Sequence, residues 1–286
     1  MSGQRQRPDR VTFRAPKMPE LVATRHVATE LVDLREVRCR GAHAGVSPEE
    51  CDDATRWVLP FRGAFLHHQG GEAVVGDANQ VLFFNAHRPY RISHPVAGGD
   101  DCLSVGFAPE VLEEVAGDAV EVDGPLARMK PRRLPLTPRA QRMAALLRSA
   151  VEPLEVEARS LGLARAVLDG ARAPRRRHTA ARRALVERTK LLLQSDPARR
   201  WSLFELAAEA RVSAAHLTET FTEMEGISLY RYQTRLRLAR ALADLRDAED
   251  LTLLALDHGF SSHSHFTHAF RSVYATTPSA MCRTLR

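Results

Sequence analysis

Residues 201–285 contain a divergent internal repeat, and no other feature of this sequence narrows the possible folds as much. Four residues of the first copy have counterparts 49 positions later, and an alanine has its counterpart 48 positions later. The pairs are Leu217 with Phe266, Phe221 with Phe270, Gly226 with Ala275, Ser228 with Thr277, and Ala207 with Ala255. The change from 48 to 49 predicts one extra residue in the second copy, between the alanine and the first apolar anchor.

Each copy has the pattern of a helix-turn-helix unit. The first copy predicts a short helix over Leu203–Ala210, a turn at 211–212 and a second helix capped by Ser213. The same parts in the second copy are Leu251–His258, a turn at 259–260 and a helix capped by Ser261 or Ser262. A small alanine at the helix crossing, a tight turn and an apolar anchor in the next helix are typical of this motif.

The segment between the two copies predicts a rigid connection. Residues 228–246 place apolar side chains on one helical stripe and arginines elsewhere on the surface. Nineteen residues of helix are about 28 Å long at a rise of ~1.5 Å per residue. Two units held by such a helix would enter successive major grooves on one face of a DNA duplex, which repeat every ~34 Å.

The charge of the chain favours an anionic partner. The net charge is +6 and the isoelectric point is near 9.5. Residues 171–200 carry ten arginines and lysines against two acids, directly before the repeat. That surplus suits a surface that faces phosphates, although a solvated linker would have the same composition.

The repeat resembles the DNA-binding domain of AraC/XylS-type bacterial transcription regulators. The matching text is LFELAAEARVSAAHLTETFTEMEGISLYRYQTRLRLARAL followed by ALDHGFSSHSHFTHAFRSVYATTPSAMCR. Residues 62–102 resemble, more loosely, the cupin-like sensor domains that precede such modules. The resemblance implies an effector-responsive regulator that binds double-stranded DNA, with RNA polymerase, a small-molecule effector and a second copy of the chain as further partners.

The same resemblance locates the residues that would contact DNA. The first recognition helix is Ser213–Glu223 and the second is Ser262–Val273. Candidates for base contacts are Ala214, Ala215, His216, Thr218 and Glu219 in the first, and His263, Ser264, His265, Thr267 and His268 in the second. Candidates for phosphate contacts are Arg182, Arg183, Arg231, Arg235, Arg237 and Arg271. The alternative for the histidines is a solvent-facing surface without a ligand.

Two features of the repeat qualify this interpretation. The histidines at 263, 265 and 268 look like a metal site, but only His265 and His268 share a helical face, and no cysteine or carboxylate lies nearby in sequence. Arg211 and Ala275 stand where family members commonly have glycine. If those positions need a positive φ, each side chain costs about 1 kcal/mol.

The first ~125 residues predict a strand-rich domain. Short apolar runs at 74–75, 81–84 and 103–107 alternate with turn sequences. Thr137 and Pro138 then read as the cap and first residue of a helix, and a second helix is predicted over 153–169. These two helices would pack on the strands or on a second subunit.

The predicted fold class is therefore α+β, with an N-terminal cupin-like β-barrel followed by an all-α double helix-turn-helix domain. The predicted divisions are a flexible basic arm (1–19), the sensor domain (20–125), connecting and dimerisation helices (126–170), a basic linker (171–183) and the DNA-binding domain (184–286).

A zinc site is one hypothesis for the sensor domain. Cys39, His43, His94 and Cys102 would converge as a Cys2His2 set if their strands pair. The alternative is that the cysteines are small buried apolar residues and the effector binds elsewhere in the barrel. The adjacent His67 and His68 face opposite sides of a strand, which disfavours a cupin metalloenzyme.

The remaining observations exclude other classes. GxSxG, GxxxxGK, HExxH and CxxC are absent from the sequence, so we do not expect an enzyme. Rival interpretations are a cupin-type metalloenzyme, a DNA alkyl-repair protein with a reactive Cys39, and a protein-interaction adaptor. Four cysteines, no secretory signal and no apolar run of ~20 residues predict a cytoplasmic protein without a membrane segment.

Overall fold

The computed structural model describes residues 20–40, 45–170 and 178–286. The predicted arm over 1–19, His43 and most of the predicted linker lie outside these ranges. Within them, no helix combines the length and apolarity needed to cross a membrane.

The N-terminal half forms three antiparallel sheets. A six-stranded sheet has the order β1-β2-β8-β3-β6-β11, a three-stranded sheet the order β5-β4-β7, and β9 and β10 form a hairpin. The strands are β1 (Glu20–Ala28), β2 (Val32–Arg40), β3 (Arg56–Gly63), β4 (Phe65–Gln69), β5 (Glu72–Gly76), β6 (Gln80–Phe84), β7 (Arg91–Ser93), β8 (Asp100–Phe107), β9 (Val120–Asp123), β10 (Leu126–Met129) and β11 (Arg133–Pro135). The three predicted apolar runs lie in β5, β6 and β8. Among the described strands no pairing closes a sheet into a ring, so the strands form open sheets rather than a closed barrel.

Alternating side chains give the six-stranded sheet two buried faces. Trp57, Phe83 and Leu103 point into the larger core, whereas Leu82 and Cys102 point towards the three-stranded sheet. Three helices supply the other wall of the larger core, namely α1 (Pro109–Ala116), α2 (Pro138–Ser149) and α3 (Pro153–Asp169). Since both faces are covered, every residue of β8 is buried.

Helices α2 and α3 begin and end where the sequence indicates. The Thr137 side chain accepts a hydrogen bond from the Ala140 backbone, and Pro138 is the first residue of α2. Helix α3 runs to Asp169, directly before Gly170. Leu147, Val156 and Val167 join the larger core, so of the two predicted packings these helices adopt the one on the sheet.

The C-terminal third is entirely helical. It comprises α4 (Ala180–Ser195), α5 (Leu203–Ala210), α6 (Ala214–Glu225), α7 (Leu229–Asp244), α8 (Leu251–Asp257), α9 (His263–Tyr274) and α10 (Pro278–Leu285). Helix α4 begins at Ala180, with Thr179 as its cap. This start lies inside the predicted linker, four residues before the predicted domain start at 184.

Helix α7 connects two cores. Its first half, with Tyr232 and Leu236, packs with α4, α5 and α6. Its second half, with Leu238 and Leu242, packs with α8, α9 and α10. The helix has 16 residues, which is about 24 Å and shorter than the predicted nineteen-residue rod.

Buried polar contacts join the helical third to the sheets. Tyr232 of α7 donates its hydroxyl to Asp77 at 2.7 Å, and the Val75 backbone amide donates to Glu187 of α4 at 2.7 Å. At the other end of α7, Nε of Arg62 in β3 is 2.6 Å from the Asp244 carboxylate. The two parts of the chain therefore share a polar interface along most of α7.

Candidate nucleic-acid interface

The two helix-turn-helix units have the same turn geometry. The Val212 amide donates to the Ala207 carbonyl at 3.0 Å, and the Phe260 amide donates to the Ala255 carbonyl at 3.0 Å. The residue before each donor has a positive φ, which is 56° at Arg211 and 79° at Gly259. The pairing of the two turns confirms the displacement of 48 that the sequence indicates.

The extra residue of the second copy lies between the turn and the recognition helix. Helix α6 has Ser213 as its cap, one residue after Val212, whereas α9 has Ser262 as its cap, two residues after Phe260. Ser261 is therefore the inserted residue. Past this point the copies align at 49, as the caps Ser228 and Thr277 of the following helices demonstrate.

Both non-glycine positions singled out in the sequence have left-handed backbone. Arg211 ends α5 with φ 56° and ψ 44°, and Ala275 ends α9 with φ 57° and ψ 22°. At Gly259, by contrast, a side chain would also collide with other atoms, since a Cβ there would lie 2.3 Å from the Ala198 carbonyl oxygen. Of these three positions, glycine is thus required on steric grounds at Gly259 only, while the other two carry strain.

Aromatic packing determines which face of α9 reaches solvent. Phe266 and Phe270 are fully buried, and their ring centroids are 5.5 Å apart. Phe260 and Tyr274 extend the same cluster at either end. Because this stripe points inward, the opposite side of α9 is left for polar residues.

That polar side carries the predicted base-reading residues of the second unit. Ser264, His265 and His268 are exposed, and His263 and Thr267 are half-buried. Nδ1 of His265 is 3.0 Å from the Ser261 hydroxyl, and its ring lies edge-on to Phe260 with 5.5 Å between centroids. These two contacts restrict the orientation of the exposed ring.

The first unit presents a shorter polar face. Ala215, His216, Thr218 and Glu219 are exposed on α6, and Ala214 is half-buried. The Thr218 hydroxyl donates to the Ala214 carbonyl at 2.9 Å, which leaves only its lone pairs for another partner. With two alanines on this face, the first unit offers fewer hydrogen-bonding groups to base edges than the second.

Three of the six predicted phosphate-binding arginines have partners inside the protein. Arg182 is 2.6 Å from Glu223, and Arg183 is 2.6 Å from Glu72. Arg237 donates to the carbonyl oxygens of Pro197 at 3.1 Å and Arg199 at 2.6 Å. Each of these side chains would have to give up its partner to contact a phosphate.

The remaining three arginines are better placed. Arg231 and Arg271 are exposed on α7 and α9, and Arg235 is half-buried one turn after Arg231. Burial, and then the neighbouring charge of Arg231, lower the pKa of Arg235. Two cations at this spacing repel each other, and a phosphate between them would relieve that repulsion.

A second cluster of functional side chains lies in the N-terminal half. Cys39, His94 and Asp100 each offer a metal-ligating atom, and these atoms all lie within 4.8 Å of one another. Within the described residues, this is the only group of three or more metal-ligating side chains, so the α9 histidines form no such group. Of the predicted zinc ligands, Cys39 and His94 come together, Cys102 bonds Asp100 instead, and His43 lies outside the described residues.

The charge state of this cluster depends on hydrogen bonds. Burial lowers the pKa of His94, but its hydrogen bonds to Asp100 and Cys39 outweigh burial and raise that pKa to about 9. The distance from Nε2 of His94 to Oδ1 of Asp100 is 2.5 Å. His67, in contrast, is buried against Phe84 and Tyr90, and burial lowers its pKa to about 3.

Sequence reasoning missed two groups of residues. Asp100 belongs to the N-terminal cluster because its Cα pairs with that of Cys39 across β2 and β8, a pairing that no local motif indicates. Phe204 and Tyr230 are large aromatic side chains that are exposed by 81% and 70%, and no sequence motif had singled them out. The outward position of Phe204 follows from helical spacing, since the buried Leu206 lies on the opposite side of α5.

Two family descriptions match this chain. One is an AraC-binding-like domain, which matches residues 10–194, and the other is a helix-turn-helix domain, which matches residues 206–284. These matches define the class of the protein as a transcription regulator with an N-terminal ligand-binding domain and a C-terminal helix-turn-helix domain. The chain is a member of the AraC-type family of transcription regulators.

Curated relatives match between 75 and 90 residues of this chain. The transcriptional regulator MtrA of Neisseria gonorrhoeae is 31% identical over 83 residues, which cover 29% of this chain and 28% of MtrA. The probable transcription factor PqrA of Proteus vulgaris is 35% identical over 75 residues, which cover 26% of this chain and 61% of PqrA. An uncharacterised regulator of Haemophilus influenzae is 30% identical over 90 residues, so the matched region spans only 30% of that relative's length and 31% of this chain.

Solved structures with similarity to this chain have low TM-scores and low sequence identities. An AraC-type regulator from Chromobacterium violaceum is 24% identical over 37% of this chain and 96% of its own, with a TM-score of 0.35. A ligand-free variant of ToxT from Vibrio cholerae is 12% identical over 92% of this chain and all of its own, with a TM-score of 0.37.

Proposed function

We propose that this protein is a sequence-specific DNA-binding regulator of transcription whose two helix-turn-helix units bind one duplex. The observation that carries the proposal is the polar face of α9, where His265 and His268 are exposed opposite a fully buried aromatic stripe. The family of the chain supports the same function. An imidazole N–H donates to guanine N7 or O6, and α9 presents two imidazole rings one turn apart.

The two helix-turn-helix units would have different roles in DNA binding. Helix α9 would supply most of the base contacts, while α6 would position the domain and contact thymine methyl groups through its alanines. Helix α7, about 24 Å long, would hold both units on one face of the duplex. Arg231, Arg235 and Arg271 would bind phosphates, because all three keep some exposure on α7 and α9 and could reach an external anion.

The DNA-binding unit begins earlier than the sequence indicates under this proposal. Leu185, Val186 and Leu193 of α4 share a core with α5, α6 and α7. We therefore place its start at Ala180, and leave the other predicted divisions as they stand. Residues upstream of it would form the effector-binding part.

Coupling between the two parts would follow from their shared interface. The hydrogen bonds from Tyr232 to Asp77 and from Val75 to Glu187 connect α7 and α4 directly to the sheets. An effector that moved the β5–β6 region would strain these buried bonds and change the position of α7. A small-molecule effector, RNA polymerase and a second copy of the chain are the proposed partners, and the bacterial cytoplasm, where the chromosome lies, is the proposed location.

An enzymatic role has less support. A DNA alkyl-repair mechanism through Cys39 needs an exposed thiol, and Cys39 is only 3% exposed. Family membership points to a regulator, and we propose that the protein has no catalytic activity of its own. A methyl-transfer assay with alkylated DNA tests this, since transfer to Cys39 would contradict it.

The decisive test compares His268→Ala with Arg271→Ala, which lie one turn apart on α9. Operators would first be identified by genome-wide mapping of bound DNA, and affinities then measured on an operator and on a scrambled duplex. We expect His268→Ala to weaken operator binding by about 1–3 kcal/mol and scrambled binding much less. We expect Arg271→Ala to weaken both alike and to reduce the salt slope by about 1.

Equal losses on both duplexes for His268→Ala would mean that this histidine does not read bases. Absence of salt-dependent DNA binding by the unmodified protein would overturn the proposed function and favour an interaction adaptor. His26→Ala, on an exposed histidine of β1, controls for the loss of an imidazole far from the helix-turn-helix units.

A further inference from the structure

The Cys39, His94 and Asp100 cluster combines three ligand types in one buried place. Their exposed fractions are 3%, 4% and 6%. The sulfur, a ring nitrogen and a carboxylate oxygen lie within 4.8 Å of one another. Cys102 lies two residues along β8 from Asp100, on the same face, and its Sγ is 2.8 Å from Oδ2 of Asp100.

The backbone is built to hold these side chains together. Cys39 at the end of β2 and Gly63 at the end of β3 both pair with Asp100 of β8. Gly63 and Gly99 have φ of 67° and 69°, and a Cβ at either would lie 1.9 Å from a carbonyl oxygen of the neighbouring strand end. Two glycines thus permit an approach of three strands that any larger residue would prevent. His94 then reaches the cluster from the end of β7.

We propose that Cys39, His94 and Asp100 bind a zinc ion. Zinc favours four tetrahedral ligands drawn from thiolate, imidazole and carboxylate. Cys102, whose Sγ is 2.8 Å from Oδ2 of Asp100, is the candidate for the fourth ligand and would exchange its hydrogen bond for the ion. Thiolate ligands select zinc over magnesium and calcium, which prefer oxygen alone. Binding displaces the thiol protons and the proton that His94 shares with Asp100, so the ion replaces a hydrogen-bonded network at the same location.

Because its cysteines are buried, this site is unsuited to sensing electrophiles or oxidants through a reactive thiol. A thiol that responds to electrophiles or oxidants must be accessible, and both cysteines here are at most 4% exposed. Cys51, which is exposed, is the chain's natural contrast. The proposal concerns metal binding alone and does not depend on the proposed DNA-binding function.

The test uses the full-length protein and cobalt(II) as a spectroscopic substitute for zinc. We expect one zinc per chain by elemental analysis after purification, and one equivalent of cobalt to produce thiolate-to-metal absorption and the intense visible bands of tetrahedral cobalt. Cys39→Ser and His94→Gln should each weaken cobalt binding at least tenfold. Cys51→Ser should bind like the unmodified protein.

A second measurement avoids reliance on variants that fail to fold. Thermal unfolding of the unmodified protein should show a lower midpoint after chelation and recovery on addition of one equivalent of zinc, because an ion that binds only the folded protein stabilises it. Cobalt spectra without thiolate absorption, or a midpoint that chelation and added zinc leave unchanged, would overturn the proposal.

Discussion

Ala275 ends the second recognition helix in a conformation that favours glycine. Its φ is 57°, and its repeat counterpart Gly226 has φ 71° in the equivalent place. An L-residue with a Cβ costs roughly 1 kcal/mol in this region. We expect Ala275→Gly to raise the free energy of unfolding by up to about 1 kcal/mol, measured by urea denaturation.

The control for this substitution is Ala208→Gly, at an exposed position within α5. Glycine inside a helix costs about 1 kcal/mol relative to alanine. The two substitutions should therefore change the free energy of unfolding in opposite directions. A loss of stability in both would show that the left-handed backbone at Ala275 does not strain the native protein.

His67 makes stability depend on pH. Burial lowers its pKa to about 3 in the folded protein, whereas an unfolded histidine has a pKa near 6.5. Between those pH values the unfolded chain binds more protons than the folded one. The contribution of His67 to the free energy of unfolding is therefore complete above pH ~6.5 and decreases as the pH falls below it. The loss from this group is at most about 1.4 kcal/mol per pH unit.

The comparison of His67→Phe with the unmodified protein isolates this effect. Phenylalanine keeps an aromatic ring between Phe84 and Tyr90 but does not titrate. We expect the free energy of unfolding of His67→Phe to fall less steeply between about pH 6.5 and pH 5. His67→Leu distinguishes this result from any effect of a larger ring, and parallel pH profiles for all three proteins would refute it.

At the scale of single elements, caps determine where the recognition helices begin. The Ser262 hydroxyl accepts a hydrogen bond from the His265 amide at 3.1 Å, and His265 also lies against Ser261. We expect Ser262→Ala to cost about 1 kcal/mol of stability and to weaken operator binding, because the first turn of α9 carries His265. Thermal unfolding and operator titration measure the two effects.

Ser272→Ala is the matched change, since Ser272 is exposed near the end of the same helix. Alanine is the better helix former there, so stability should remain unchanged or rise slightly. Equal destabilisation by both substitutions would mean that the Ser262 cap does not stabilise α9.

Elements set by short-range chemistry were predictable from the sequence, and elements set by long-range pairing were not. The paired helices and their serine caps follow from local patterns that recur in both copies of the repeat. The left-handed backbone at Arg211 and Ala275 was implied by the family resemblance, because family members commonly have glycine there. The open sheets and the role of Asp100 depend on which strands become neighbours. Cys39 and Asp100 meet only because β2 pairs with β8, and the spacing of cysteines and histidines contains no information on that pairing.

Across the whole molecule, a buried ion network joins three segments that are far apart in sequence. Arg133 of β11 is 2.6 Å from Glu187 of α4 and 3.4 Å from Glu225 of α6. Lys190 is fully buried and lies 2.6 Å from Glu225. The charges of these two cations and two carboxylates balance, so the network is tolerated at the interface only while each member keeps its partners.

Glu225 is therefore the member whose loss should separate the two parts of the chain. Glu225→Gln keeps the shape of the side chain but leaves Lys190 and Arg133 with one carboxylate between them. Breaking a buried pair from one side costs about 3–5 kcal/mol. We expect a loss near the lower bound, because Glu187 lies 3.8 Å from Lys190 and compensates in part. Urea unfolding followed by circular dichroism should give a lower midpoint and a first transition that belongs to the C-terminal helices.

Glu223→Gln provides the contrast on the same helix. Glu223 pairs with Arg182 at 2.6 Å, but the two side chains are 30% and 29% exposed. Water screens such a pair, so its loss should cost less than about 1 kcal/mol and leave a single transition. Because the two glutamates are two residues apart, helix propensity and net charge change equally in both variants, and only burial differs. Equal midpoints for the two variants would mean that the network contributes nothing to the contact between the sheets and the DNA-binding helices.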